Sequence, residues 1–184
     1  MWQTRPPKPC KLIAGILAPD EAGLDLAVET LSGDLGPIDL ASPTWPFEQT
    51  AYYEDQIGPR IFRRFVSFER LADPGDLAQI KHRTNAMERA LAERLGPAVP
   101  RPVNLDPGLI ETSKLVLAST KNFSHRIYIG REMYAEVTLI VDRGRWTCLP
   151  YTYPDYRLPE YHAFFERVRQ RLREQQKPMT EDKR

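Results

Sequence analysis

Residues 60–95 read RIFRRFVSFERLADPGDLAQIKHRTNAMERALAERL, and the two halves of this stretch follow different periods. In residues 60–69, Phe62, Val66 and Phe68 share one parity and Phe65 takes the other, which predicts a strand. Asp73-Pro74 then supplies an N-cap and a proline at the first helical position. Leu77, Ile80, Met87, Leu91 and Leu95 continue as an apolar stripe of helical spacing until Gly96-Pro97 stops it. Upstream, residues 11–18 (KLIAGILA) form a short apolar run ended by Pro19, the pattern of a strand buried on both faces. Asp20 can cap a first helix carrying Leu24, Ala27, Leu31 and Leu35, residues 38–41 start another strand, and 43–46 must be loop or edge. Residues 103–106 add the next strand. The order is strand, helix, strand, strand, helix, strand, which is the ferredoxin-like split βαβ order.

Beyond it, strands are predicted at 114–120, 125–129, 135–141 and 145–149, with hairpin turns at 130–133 and at 142–145, where Gly144 can take positive φ. Residues 159–176 are helical, with Tyr161, Phe164, Phe165, Val168 and Leu172 on one face. The expected fold class is therefore α+β. A single domain over residues 1–176 holds an antiparallel-rich sheet that begins in ferredoxin-like order and is extended by a meander. Two helices lie on one face, a terminal helix packs over an end, and 177–184 form a disordered tail. A half-closed β-barrel with its polar hairpin residues inside is the alternative.

The chain of 184 residues is long enough to bury a core without staples. Its net charge of +1 conceals a gradient, from −6 over residues 1–59 to +4 over residues 60–101. No run approaches a membrane span, and the polar, proline-rich start lacks a signal peptide's apolar core. Cys10 and Cys148 stand far apart as expected free thiols. A cytoplasmic protein without membrane association follows as the expectation. Phosphate-binding glycine loops, the HExxH zinc motif and the serine-hydrolase elbow are all missing. His82, His125 and His162 have no partner at i, i+4, so a zinc site would need distant residues.

Polar residues are dense where strands are expected. Alternation puts Arg126 and Tyr128 on one face, opposite His125, Ile127 and Ile129, and puts Glu136 and Thr138 together on the neighbouring strand. Glu69 and Ser67, with Lys114 and Lys121, could join them. Such a mixed lining recognises an anion: cations hold phosphate or carboxylate, while acids position the cations or a metal. An antiparallel sheet with one wet face shows the same alternation without any ligand. Lys81, Asn85 and Glu88 border the stripe of the second helix, where they could reach the same pocket or form a structural pair. Asn104-Leu105-Asp106-Pro107-Gly108 reads as a strand end followed by a tight turn presenting an amide and an acid. Residues 151–157 (YTYPDYR) bring Tyr153 and Asp155 between the last strand and the last helix, either to stack on a ligand or to seal the sheet. Tyr52, Tyr53 and Glu54 could close as a lid.

The blocks KLIAGIL, GPID, FVSFE, IKxxTN, VNLDPG, KLVLASTK, HRIYIG, AEVTL and TYPDYR, with the Tyr52-Tyr53-Glu54 cluster, resemble a bacterial family catalogued as domain of unknown function 4416, over residues 9–165. The resemblance implies a stand-alone cytoplasmic protein and supplies no catalytic residue. Some members bear a GTP-binding label, for which this chain has neither a glycine loop nor a base-reading motif. From the residues themselves, the expected function is binding of a small anionic ligand, phosphorylated or a nucleotide, with transformation assisted by a divalent metal such as magnesium. In that expectation Glu136, Glu69 and Asp106 are the catalytic or metal-holding acids. Lys114, Lys121 and Arg126 hold the anion, and Tyr128, Thr138, Asn104, Tyr153 and Asp155 complete the pocket. A non-catalytic RNA-binding or protein-interaction accessory is the other class, suggested by the split βαβ order and by the basic residues between Arg60 and Arg101.

Overall fold

The computed structural model describes residues 2–96 and 99–177. All but the first residue of the expected tail thus lie outside the described residues. In chain order the elements are β1 (Cys10–Ala18), α1 (Glu21–Leu35), β2 (Ile38–Ala41), β3 (Trp45–Pro46), α2 (Glu54–Ile57), β4 (Phe62–Ala72) and α3 (Leu77–Leu95). They continue with β5 (Asn104–Ile110), β6 (Lys114–Ser119), β7 (Ile127–Tyr128), β8 (Tyr134–Asp142), β9 (Arg145–Cys148) and α4 (Pro159–Gln175). Asp20 caps α1 by accepting the Gly23 N–H at 2.8 Å, and Asp73 accepts the Gly75 N–H in the turn that leads into α3.

The nine strands form one antiparallel sheet in the order β2-β4-β1-β5-β6-β8-β7, with β3 added to β4 and β9 to β8. The β2-β4-β1-β5 portion reproduces the ferredoxin-like arrangement; β6 joins β5 by a hairpin, β8 pairs with β6 across the 120–133 connection, and β7 and β9 add to the outer edge of β8 by hairpins. The sheet remains open, so the barrel alternative is set aside. At the β8–β9 hairpin, Arg143 (φ 46°) and Gly144 (φ 80°) both adopt positive φ, the two-residue turn that matches strand twist.

Each face of the sheet has its own core. Leu12, Ala14, Ile16, Val66, Phe68, Leu105 and Leu109 meet Leu24, Leu31, Ile80, Met87 and Leu91 of α1 and α3. The opposite parity, Ile13, Phe65, Ile110, Leu115, Leu117 and Leu139, meets Tyr161, Phe164, Phe165 and Val168 of α4. The terminal helix therefore covers the second face of the sheet instead of an end. Its apolar stripe matches residues of the two central strands, β1 and β5, that cannot face α1 and α3 because successive side chains alternate. A short 3-10 turn, Ala51–Tyr53, leads into α2, and Phe47, Tyr53, Ile57 and Ile61 pack this segment on Leu17.

Two local expectations are corrected. Pro107 and Gly108 lie inside β5, opposite Ala14 and Ile13, and not in a turn. Pairing to β6 starts only at Gly108, so proline stands where β5 has a free side. Residues 125–126 precede β7, which spans only two residues. The Arg126 N–H closes a turn on the Phe123 carbonyl, and alternation does not govern His125 and Arg126.

Candidate functional site

One end of the sheet opens into a cavity of about 480 Å³. Its floor comes from the α4-side face: Arg63 at the start of β4, Asn104 and Asp106 at the start of β5, Leu117 on β6 and Glu136 on β8. Phe47, Tyr52 and Tyr53 wall one side, and Tyr153, Asp155 and Tyr156 of the connection into α4 wall another. Lys81 of α3, Arg101, Lys121 and Arg126 complete it, so five cations face three carboxylates. The cavity lies in the size range of small-molecule sites, roughly 300–1,000 Å³.

Arg63 is the central group. Only 2% exposed, it crosses over β1 at Gly15, whose register partners are Phe65 on β4 and Asp106 on β5. A Cβ at Gly15 would lie 2.8 Å from Arg63 Nη1 and 2.9 Å from a Phe65 ring carbon, so only glycine leaves room for the guanidinium. Arg63 Nη2 donates to Asp155 at 3.0 Å, and Nη1 stands 3.6 Å from Asp106. The rings of Phe47, Phe65 and Tyr156 lie within 6 Å of the guanidinium. Nε and Nη1 have no hydrogen-bond partner, although both are buried. Burial alone would lower the Arg63 pKa, but Asp155, Tyr156 and Asp106 more than offset it and hold the group charged. Burial raises Asp155 above the usual carboxylate range despite Arg63. The Tyr156 hydroxyl, also buried and unpartnered, is pushed well above its ordinary value by burial.

Glycine at position 15 yields a stability prediction. Gly15→Ala should lower the unfolding free energy by about 1–3 kcal/mol in urea titration, as overpacked sites do. Gly33→Ala on α1, where a Cβ meets nothing within 4 Å, should be neutral or slightly stabilising. Equal behaviour of the two variants would show that the crossing at Gly15 is not tight.

Glu136, 2% exposed, is saturated. Its Oε2 accepts from Arg126 Nε at 2.8 Å and His125 Nε2 at 3.1 Å, and its Oε1 accepts from the Thr138 hydroxyl at 3.2 Å. A register shift at Leu115/Val116 of β6 leaves Thr138 without a register partner there, which lets it reach back to Glu136. Arg126 also donates to the Tyr153 hydroxyl at 2.5 Å and to the Lys121 carbonyl at 2.9 Å, while Lys121 Nζ donates to the Tyr52 hydroxyl. Burial and Glu136 push the Tyr153 phenol up to about 12. Arg101 binds Glu88 at 2.6 Å, and its backbone N–H donates to the Gln56 carbonyl of α2. Glu88 in turn accepts the Leu105 N–H, and burial raises its pKa.

Of the residues expected from sequence, Glu136, Asp106, Asn104, Lys121, Arg126, Tyr153 and Asp155 converge on the cavity, and Thr138 supports Glu136. Glu69 and Lys114 do not. Glu69 is exposed near the far end of β4, six residues or about 20 Å of extended chain from Arg63. Lys114 begins β6 and pairs with Glu111 at 2.8 Å. Tyr128 is 60% exposed on the edge strand, with its ring against Tyr134. Ser67 donates to Asp39 at the far end. His125, expected on the face opposite Arg126, shares Glu136 with it for the turn geometry given above. Among the described residues no three acidic, histidine or cysteine side chains are grouped to hold a metal ion. The supposed trio of Glu136, Glu69 and Asp106 is split between the two ends of the sheet. Arg63 and Arg101 were not anticipated. Arg63 had a signal, since it shares parity with Phe65 and Ser67 on a buried face; Arg101, in a connecting segment, had none.

Residues 8–172 match the family model described as Domain of unknown function (DUF4416). No curated protein and no solved structure matches the chain.

Proposed function

This chain belongs to the family described as domain of unknown function 4416, and from that premise, which names no reaction, we propose that its cleft binds a small organic anion of the phosphate-ester class. The observation that carries this function is the buried Nη1 amino group of Arg63, which has no hydrogen-bond partner and stands near Asp106, beside a cavity whose lining holds two more cations than carboxylates. A buried donor without an acceptor costs about 1–3 kcal/mol, and an oxyanion accepting from Nη1 removes that penalty through a charge-assisted bond. Lys121, which meets no carboxylate among the described residues, adds an uncommitted positive charge at the rim. We assign the binding to the cytoplasm, in keeping with two free thiols. Helices cover both faces of the central strands β1, β4 and β5, so among the described residues the ferredoxin-like part of the sheet keeps no open aromatic face of the kind that stacks RNA bases, which favours a small ligand.

A thermal-shift panel of inorganic phosphate, phosphate monoesters and mononucleotides tests the assignment. At about a hundred times Kd, binding adds about 2.7 kcal/mol, which raises Tm by roughly 5–10 °C for a chain of this size. Absence of any shift at millimolar phosphate ester would overturn it, and stabilisation only by RNA oligomers would replace it with the accessory function.

A further inference from the structure

We infer that the organic anion is a phosphorylated polyol, a sugar phosphate either free or as part of a nucleotide, with its phosphate at Arg63 and a hydroxyl group donating to Asp106. This assignment rests on the anion-binding function above and specifies the other half of the ligand. The three lining carboxylates are not alike. Asp155 is committed to Arg63 at 3.0 Å, and Glu136 to Arg126, His125 and Thr138. Asp106 accepts a single hydrogen bond, from Asn104 to Oδ2 at 2.7 Å. Its Oδ1 has only the Lys81 ammonium at 3.7 Å, too far for a hydrogen bond, because Lys81 donates instead to the Leu105 carbonyl at 2.8 Å. At 23% side-chain exposure, Asp106 faces the cavity with an oxygen unused.

A carboxylate beside an anion site weakens binding of a bare anion through like-charge repulsion. It becomes favourable when the same ligand brings a hydrogen-bond donor, and an anion with a neighbouring donor is what this lining distinguishes from a simple salt ion. The donor is a neutral hydroxyl rather than an ammonium, because five cations line the cavity and would repel a second positive charge. The rings at the mouth suit the sugar portion: Tyr52 is 53% exposed and Tyr153 is 37% exposed, and both line the cavity with amphipathic faces.

Isothermal titration of the full chain with inorganic phosphate, methyl phosphate, ribose-5-phosphate and adenosine monophosphate separates the possibilities. The wild type should bind the ribose ester at least about tenfold more tightly than methyl phosphate, the two differing in hydroxyl donors. In Asp106→Asn, inorganic phosphate should bind several-fold more tightly as repulsion is removed. The ribose ester should weaken, so that the preference falls below about threefold. Opposite signs for the two ligands are the signature of a carboxylate that accepts from the sugar. Adenosine monophosphate at or above the ribose ester assigns the nucleotide form, and weaker binding assigns the free sugar phosphate. Equal wild-type affinity for methyl phosphate and the ribose ester, or a preference unchanged in Asp106→Asn, overturns this inference while leaving phosphate binding intact. Failure of every phosphate to bind the wild type overturns the anion site itself. If circular dichroism shows Asp106→Asn to be unfolded, the wild-type ratio of the two esters decides.

Discussion

Arg63→Met should weaken phosphate-ester binding by about tenfold to a hundredfold, because a charge-assisted hydrogen bond of about 1.5–3 kcal/mol disappears. The same change strands Asp155, whose side chain is only 7% exposed and which loses its ion-pair partner. Removing one member of a buried pair typically destabilises by about 3–5 kcal/mol, so the melting temperature should fall as well. The two effects are separable. Arg63→Met combined with Asp155→Leu replaces the pair with apolar groups and should recover most of the stability, as buried pairs replaced by packed apolar residues often do. Binding should stay weakened. Calorimetric titration alongside urea denaturation of the single and double variants measures both quantities. Unweakened binding in the double variant would show that the anion is held elsewhere.

The second large effect lies at the opposite end of the sheet. Lys11, fully buried, donates to Asp39 at 2.5 Å, to the Phe68 carbonyl at 2.5 Å and to Gln175 of α4 at 2.9 Å. Asp39 also accepts from Ser67 at 2.6 Å. This network ties β1, β2, β4 and the end of α4 together, so Asp39→Asn, which leaves a buried ammonium without its counter-charge, should lower stability by about 3–5 kcal/mol near neutrality. Burial pushes the Asp39 carboxyl up, but the hydrogen bonds from Lys11 and Ser67 outweigh it and hold its pKa below the ordinary value. A depressed folded-state pKa contributes stability that is present above the unfolded value of about 3.9 and is lost as pH falls through the folded one. The gap between wild type and Asp39→Asn should therefore be widest near neutral pH and narrow in acid. Urea titrations between neutrality and strong acid check this, and a gap independent of pH would remove the ion pair from the account.

How much of this was legible in the sequence depended on whether a residue's surroundings were local. Caps such as Asp20 and Asp73, the stripe from Leu77 to Leu91 and the Gly144 turn are set by neighbours a few positions away, and each stands where the pattern puts it. Period-two alternation also singled out Glu136, and Asp106 was singled out as an acid at a strand end; both line the cavity. It failed where strands were shorter or more irregular than their composition suggested. Residues 125–126 lie in a turn, so His125 and Arg126 meet the same carboxylate. Pro107-Gly108 resembles a turn yet continues β5, because a strand with a free side tolerates proline. Position along a strand was the harder quantity. Parity groups Glu69 with Arg63 but does not say which end of the sheet a side chain occupies, and Glu69 and Lys114 both stand at the wrong end. Arg63 hid among the arginines of its strand because its burial depends on a missing side chain at Gly15, distant in sequence and brought near only by the pairing of β1 with β4.

The most direct test of the central claim is a crystal structure of the protein soaked with tungstate, a heavy phosphate mimic located by its anomalous signal. A peak is expected in the cavity, with an oxygen within hydrogen-bond distance of Arg63 Nη1. An empty cavity, or tungstate bound only to surface cations away from Arg63, would contradict it.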